Sequence, residues 1–200
     1  YTDGDKDTAE MIVVESVAKM SSDTTLNVTV EGSIIAFEGD TIVVKPSTQY
    51  SAIKGSISAK SPARITSQPG DSDTISGTSE IVVTAENGAT KTYKFRVASS
   101  DTTISEAKVG ATAVVPDKGS SPSTAALSPD AAANATLSIK LTDAGAKVTK
   151  VTYDSNNVTP ISEADGAFTV TLPNAASDSS KTVVITVTAE DTTTQDYSFT

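Results

Sequence analysis

The side chains of this chain with most to offer chemically are its carboxylates. Asp3, Asp5 and Asp7 sit at alternate positions, which is how an oxygen-ligand loop for calcium opens. The match stops there: Thr8 stands where the EF-hand loop wants glycine, and Val14 where it wants the bidentate glutamate. A solvated acidic terminus is the simpler reading. Asp71 with Asp73, and Glu86 with Asp101 at a junction between repeats, form a second calcium hypothesis. Against it stands the ordinary use of aspartate in Ser/Asp loops, which is to close turns. Calcium is thus the one cofactor under consideration, and Asp3, Asp5, Asp7, Asp71, Asp73 and Asp101 are its candidate ligands. Glycoside hydrolysis also needs two carboxylates, but with 25 acidic residues some pair always lies at a workable separation.

Other chemistries are excluded by composition. The chain has no cysteine and no histidine. Disulfides, thiolate nucleophiles and thiolate metal sites are therefore out, and so are Ser-His-Asp and Cys-His catalysis. No enzyme activity is expected. The formal charge is −10 and no basic stripe interrupts it, which argues against nucleic acid and anionic lipid as partners. Apolar runs extend only a few residues, as at 11–14, so no membrane insertion is expected. Sugar-binding modules stack exposed rings on pyranose faces, yet tryptophan is absent and only five tyrosines occur. Tyr50 and Tyr153 are the rings to test, with ordinary edge packing as the cheaper explanation of both. An intramolecular Lys–Asn isopeptide bond would need a buried lysine, whereas Lys94 and Lys140 fall on outward faces. Asn27, Asn134 and Asn157 open Asn-X-Thr sequons, which matter only in a host that glycosylates.

The elements that position these groups read as strands. Leu26, Val28 and Val30 alternate with polar residues, and so do Tyr93, Phe95 and Val97. Leu137, Ile139 and Leu141 repeat the pattern, as do Phe168, Val170 and Leu172, and then Val183, Ile185 and Val187. Period-two alternation puts one set in a core and the other in water, as in half-buried antiparallel strands. Ile53 and Ile57 read as one face of a further strand. The alanines around 131–135 suggest one helical turn, and residues 115–134 a low-complexity loop.

One phrase occurs twice. Ile81-Val82-Val83-Thr84-Ala85-Glu86-Asn87-Gly88 through Phe95 realigns without a gap on Ile185-Thr186-Val187-Thr188-Ala189-Glu190-Asp191-Thr192 through Phe199, 104 positions later. A shorter echo, Ser21-Ser22-Asp23-Thr24-Thr25, returns as Ser99-Ser100-Asp101-Thr102-Thr103. Duplication of this kind signals tandem modules. The long phrase reads as a hairpin, with Ile81, Val83, Tyr93 and Phe95 on its inner face. Asn87-Gly88 suits a tight turn in which both residues take positive φ. Thr192 tolerates that poorly, so the second turn is expected to be looser or of another type. The boundaries that follow are 21–98 and 99–200, two tandem immunoglobulin-like antiparallel β-sandwich domains in an all-β chain. Residues 1–20 read as an extra strand or the end of a preceding repeat, and the whole as part of a longer array.

The phrase from Val83 to Val97, followed by Ser-Ser-Asp-Thr-Thr, resembles the end of one bacterial cadherin-like or immunoglobulin-like β-sandwich repeat and the start of the next. Val187-Thr188-Ala189-Glu190-Asp191 with Tyr197-Ser198-Phe199 is similar to a second instance. Ile42-Val43-Val44-Lys45-Pro46 and Ser61-Pro62-Ala63 resemble surface-lipoprotein relatives of that group, whereas residues 111–134 fit poorly. The resemblance implies an extracellular or cell-surface setting and no catalytic residues. The expectation is a non-enzymatic structural module of a microbial cell-surface, surface-layer or filament protein, acting as spacer or assembly unit. Self-association through edge strands or contact with other surface proteins goes with it, residues 1–20 being the candidate donor strand. The alternative is an adhesin or a carbohydrate- or protein-binding module, including one accessory to a secreted enzyme. A virion decoration protein is a third class.

Overall fold

The structure is a computed structural model that describes residues 19–118, 134–173 and 181–200. Among the described residues the chain is all-β apart from two 3₁₀ turns. Its first half contains β1 (Leu26–Val28), β2 (Ile34–Glu38), β3 (Thr41–Val44), β4 (Ile57–Ala59), β5 (Arg64–Ser67), β6 (Glu80–Thr84) and β7 (Thr90–Val97). The second half contains β8 (Ile104–Val109), β9 (Thr112–Val114), β10 (Asp117–Lys118), β11 (Asn134–Leu141) and β12 (Lys147–Tyr153). It continues with β13 (Asn156–Asn157), β14 (Ser162–Ala164), β15 (Ala167–Pro173), β16 (Val183–Thr188) and β17 (Thr194–Phe199).

These strands form four sheets, with orders β1-β4, β2-β3-β7-β6-β5, β14-β15-β11-β8-β9 and β10-β17-β16-β12-β13. A five-strand arrangement is common to both halves. β6–β7 flanked by β5 matches β16–β17 flanked by β12, and the pair β1–β4 matches β8–β11. The second half extends its β8–β11 sheet with β9 on one side and β15–β14 on the other. The pairing is antiparallel throughout the described ladders save one: β3 runs parallel to β7, Ile42 opposite Phe95. A parallel neighbour demands a long crossover, and here the chain between β3 and β7 supplies it. An entirely antiparallel first half is thus corrected.

Each half has its own core. Leu26, Ile57, Ile42, Val44, Ile81, Val83, Tyr93 and Phe95 belong to one cluster, with β1–β4 facing the larger sheet. Leu137, Ile139, Phe168, Val170 and Leu172 face Val148, Val151, Val183, Ile185, Val187, Tyr197 and Phe199 in the other. The alternation places Ile81, Val83, Tyr93 and Phe95 in the core and Lys94 and Lys140 outward, but it fails at Val30, which lies beyond the end of β1 and is exposed. Burial of each such side chain stabilises by about 1.5–3 kcal/mol, the driving force for closing two sheets on each other. Two further expectations fail. Ile53 is not in a strand: it lies between the 3₁₀ turns Tyr50–Ala52 and Lys54–Ser56, yet is buried all the same. Ala135 belongs to β11 rather than a helical turn, because the alternation Ala135, Leu137, Ile139 continues it into the core; residues 131–133 lie outside the described ones.

Candidate functional site

The repeated phrases meet. Ser-Ser-Asp-Thr-Thr is a linker that leads into the first strand of each half, and short polar side chains fix its shape locally. In the first copy the Asp23 amide donates to Ser21 Oγ at 3.2 Å, and the Thr25 amide donates to Asp23 Oδ1 at 2.9 Å. In the second, the Asp101 amide donates to Ser99 Oγ at 3.1 Å and the Thr103 amide to Asp101 Oδ1 at 2.8 Å. Such bonds hold the carboxylates ionised. The Asp23 pKa drops to about 2, through Thr25 first and then Lys60, and that of Asp101 is lowered by Thr103.

The hairpin tip of each half then grips its own linker. The Ser21 amide donates to Glu86 Oε2 at 3.0 Å and the Asn87 amide to the Ser21 carbonyl at 3.1 Å. The Ser99 amide donates to Glu190 Oε2 at 3.2 Å and the Asp191 amide to the Ser99 carbonyl at 3.0 Å. Further along, Tyr93 Oη donates to the Thr24 carbonyl and Tyr197 Oη to the Thr102 carbonyl, both at 3.0 Å. Tyr93 Oη also accepts the Leu26 amide at 3.1 Å. The tyrosines of the long phrase are therefore straps across the linker, not surface rings.

The two tips share one geometry, which corrects the expectation of a different second turn. Gly88 N donates to Ala85 O and Ala85 N to Ala89 O; Thr192 N donates to Ala189 O and Ala189 N to Thr193 O. Asn87 and Asp191 side chains accept from residues 89 and 193 alike. Among the tip residues only Gly88 (φ 87°) and Thr192 (φ 75°) are left-handed, so the tip is a three-residue loop with one such position and not an Asn-Gly turn with two. Thr192 bears backbone strain because the surrounding bonds over-determine the turn.

At the second grip a residue from the first half arrives. Arg96, in β7, donates Nη1 to Glu190 Oε2 at 2.8 Å and Nη2 to Glu190 Oε1 at 2.6 Å, a two-pronged bond across the joint. Arg96 holds the Glu190 carboxyl below the usual carboxylate range, with the Ser99 amide assisting; the Arg96 pKa is raised in return by Glu190, then by Glu38 and Asp143. Gly145 comes close: a Cβ there would stand 3.4 Å from Glu190 Cβ.

A second shared feature escaped the sequence reading. Thr66 and Thr149 each sit at a register shift, between Ile65 and Ser67 of β5 and between Val148 and Lys150 of β12. Each threonine hydroxyl lies 2.8 Å from another, Thr84 and Thr188 respectively, at the root of the gripping hairpin. The signal was present as Ala63-Arg64-Ile65-Thr66 against Ala146-Lys147-Val148-Thr149. Two conservative differences and an 83-position offset, unlike the 104 of the hairpins, concealed it.

The calcium candidates do not converge. Asp3, Asp5 and Asp7 lie outside the described residues. Asp71 pairs with Lys54, Asp73 Oδ2 accepts the Gly70 amide, and Asp101 is occupied in its turn. Glu86 is at the Ser21 grip, so the acidic residue beside the Ser99–Asp101 linker is Glu190 instead. Among the described residues no group of three or more acidic side chains is placed to hold a metal ion. Tyr50 is buried, edge-on to Phe95, and its hydroxyl donates to Gln68 Oε1, so it offers no face to a sugar. Tyr153 is also buried, with Lys181 Nζ 5.4 Å above its ring. Asn27, Asn134 and Asn157 are all exposed. No helix among the described residues is long and apolar enough to cross a membrane. No protein-family model, curated protein or solved structure matches the chain.

Proposed function

We propose that residues 21–98 and 99–200 are tandem immunoglobulin-like β-sandwich units forming a non-enzymatic structural module of an extracellular or cell-surface protein. The observation that carries this reading is the matched pair of linker grips. In both halves a matched set of polar groups holds the linker that leads into the unit, and at one of them Arg96 adds a clamp from the neighbouring unit. A module whose repeated chemistry fixes direction acts as a spacer. The acidic, threonine-rich surface suits exposure to water. Assembly into a filament would use the sheet edges β2 and β5, which have no further strand beside them among the described residues.

The test is the width of the joint. Paired spin labels at Ser58 and Lys140, exposed positions in separate units, are expected to give one narrow distance distribution. A broad distribution, spanning freely rotating units, removes the spacer reading. Deleting residues 1–20 is expected to abolish any self-association while leaving folded monomers; unchanged assembly removes the donor-strand role.

A further inference from the structure

The β12–β13 hairpin, the end of β15 and Lys181 surround an open concavity of about 540 Å3. Small-molecule sites occupy roughly 300–1,000 Å3. The concavity lies at the end of the second half remote from the joint, since β12 begins at Lys147 opposite Thr188 and ends at Tyr153 opposite Val183. Its rim carries hydrogen-bonding groups that the fold leaves unspent. Asn157, Thr159 and Thr171 are exposed and make no side-chain hydrogen bond among the described residues. The hairpin that presents Asn157 is fixed: Asp154 and Ser155 take φ of 50° and 64°, and Asn156 Nδ2 donates to the Asp154 carbonyl at 2.9 Å. Asp154 and Ser155 form the two-residue loop between the paired Tyr153 and Asn156, a tight hairpin turn that takes positive φ at both central residues.

The chemistry of the rim selects the class of ligand. Asp154 and Lys181 contribute one charge of each sign, 4.0 Å apart, so no net field favours an anion or a cation. Amide and hydroxyl side chains both donate and accept, which matches the adjacent hydroxyls of a sugar. Val158 and Pro173 supply small apolar patches, and the covered ring of Tyr153 rules out open-face stacking. We propose that this concavity binds a neutral saccharide through Asn157, Thr171 and Asp154, weakly, in the millimolar range. The site is independent of the spacer role, which rests on the other end of the unit.

The experiment titrates the full chain with glucose, galactose, mannose, N-acetylglucosamine and lactose, with glucuronate as the charged control, and follows backbone amide shifts by NMR. At least one neutral sugar is expected to give saturable shifts clustered at residues 156–159, 171 and 181. Asn157→Ala and Thr171→Ala are each expected to weaken it about tenfold, the loss of roughly one hydrogen bond, with shifts elsewhere unchanged. The proposal is overturned if no neutral sugar gives saturable shifts there or if neither variant alters binding. It also fails if glucuronate binds tighter in a way that Lys181→Ala abolishes.

Discussion

The two halves seize their leading linkers with the same bonds and differ in what reaches the carboxylate from outside. Glu86 holds Ser21 with no described cation beside it; Glu190 holds Ser99 and also receives the guanidinium of Arg96. A shared grip therefore belongs to the fold of each half, since it recurs where no described cation reaches the carboxylate. The clamp belongs to the joint. This separation predicts which substitutions act alike in both halves and which act in one.

The largest effects should be the most symmetrical. Ile81 and Ile185 occupy matching positions, both fully buried. Ile81→Ala and Ile185→Ala should each cost about 3 kcal/mol, transfer plus cavity. Each should lower only its own half's transition in denaturant melts. A single transition shifted equally by both variants means that the halves are one cooperative body, and the comparison collapses.

The tyrosine straps should break the symmetry in a defined direction. Tyr93→Phe removes a donor to Thr24 and also strands the Leu26 amide, whereas Tyr197→Phe removes the bond to Thr102. An orphaned buried amide adds its own desolvation cost, so about 2 kcal/mol is expected for the first and about 1 for the second. Urea midpoints measure both, and faster hydrogen exchange at Leu26 in the first variant identifies the cause. Equal losses would count against the double role of Tyr93.

That asymmetry marks the limit of what could be read from the chain. Period-two alternation placed the strands of both cores, because burial on a pleated sheet depends on side chains that a sequence displays directly. Pairing partners are long-range and left no such trace. From Ser21 to Glu86 is 65 positions and from Ser99 to Glu190 is 91; the 26 extra residues (91 less 65) fall within the span holding β9 and the β14–β15 hairpin, so the two echoes ran at different offsets. Glu86 and Glu190 stood in the repeated phrase, but both read as hairpin residues and Glu86 also as a calcium candidate, since nothing local tells a glutamate that it will meet a serine amide. Ile53 misled because buried 3₁₀ turns and short strands both need apolar side chains at close spacing. Asn87-Gly88 misled because it fits two hairpin tips equally well.

The hairpin tips offer the next, smaller test. Thr192 holds φ 75° where Gly88 holds 87°, and a Cβ at Gly88 would meet nothing within 4 Å. The difference is then backbone strain alone. Thr192→Gly should stabilise the second half by about 1 kcal/mol, and Gly88→Thr should destabilise the first by a similar amount. Thermal midpoints moving in opposite directions are the expected result. If Thr192→Gly is neutral, the tip is not left-handed in solution and the two turns differ after all.

The clamp itself should contribute least to stability and most to shape. Arg96 is partly exposed, so its bond to Glu190 should add about 1 kcal/mol or less. Because Arg96 depresses the Glu190 pKa, folding favours the ionised form. The resulting stabilisation is present above the ordinary glutamate value of about 4.3 and fades as pH falls through the lower folded value. Arg96 stays charged over this window, with Glu38 and Asp143 as its other acidic neighbours. As pH falls through that lowered folded value, the distance distribution across the joint should broaden while both cores stay folded. Asp101 is depressed too, so acid alone would loosen the linker turn together with the clamp. Arg96→Gln at neutral pH separates them: it leaves the Ser99 amide bound to Glu190 and should broaden the distribution by itself. An unchanged width in that variant would show that the backbone grip suffices, and that the cation distinguishing the two halves has no part in orienting them.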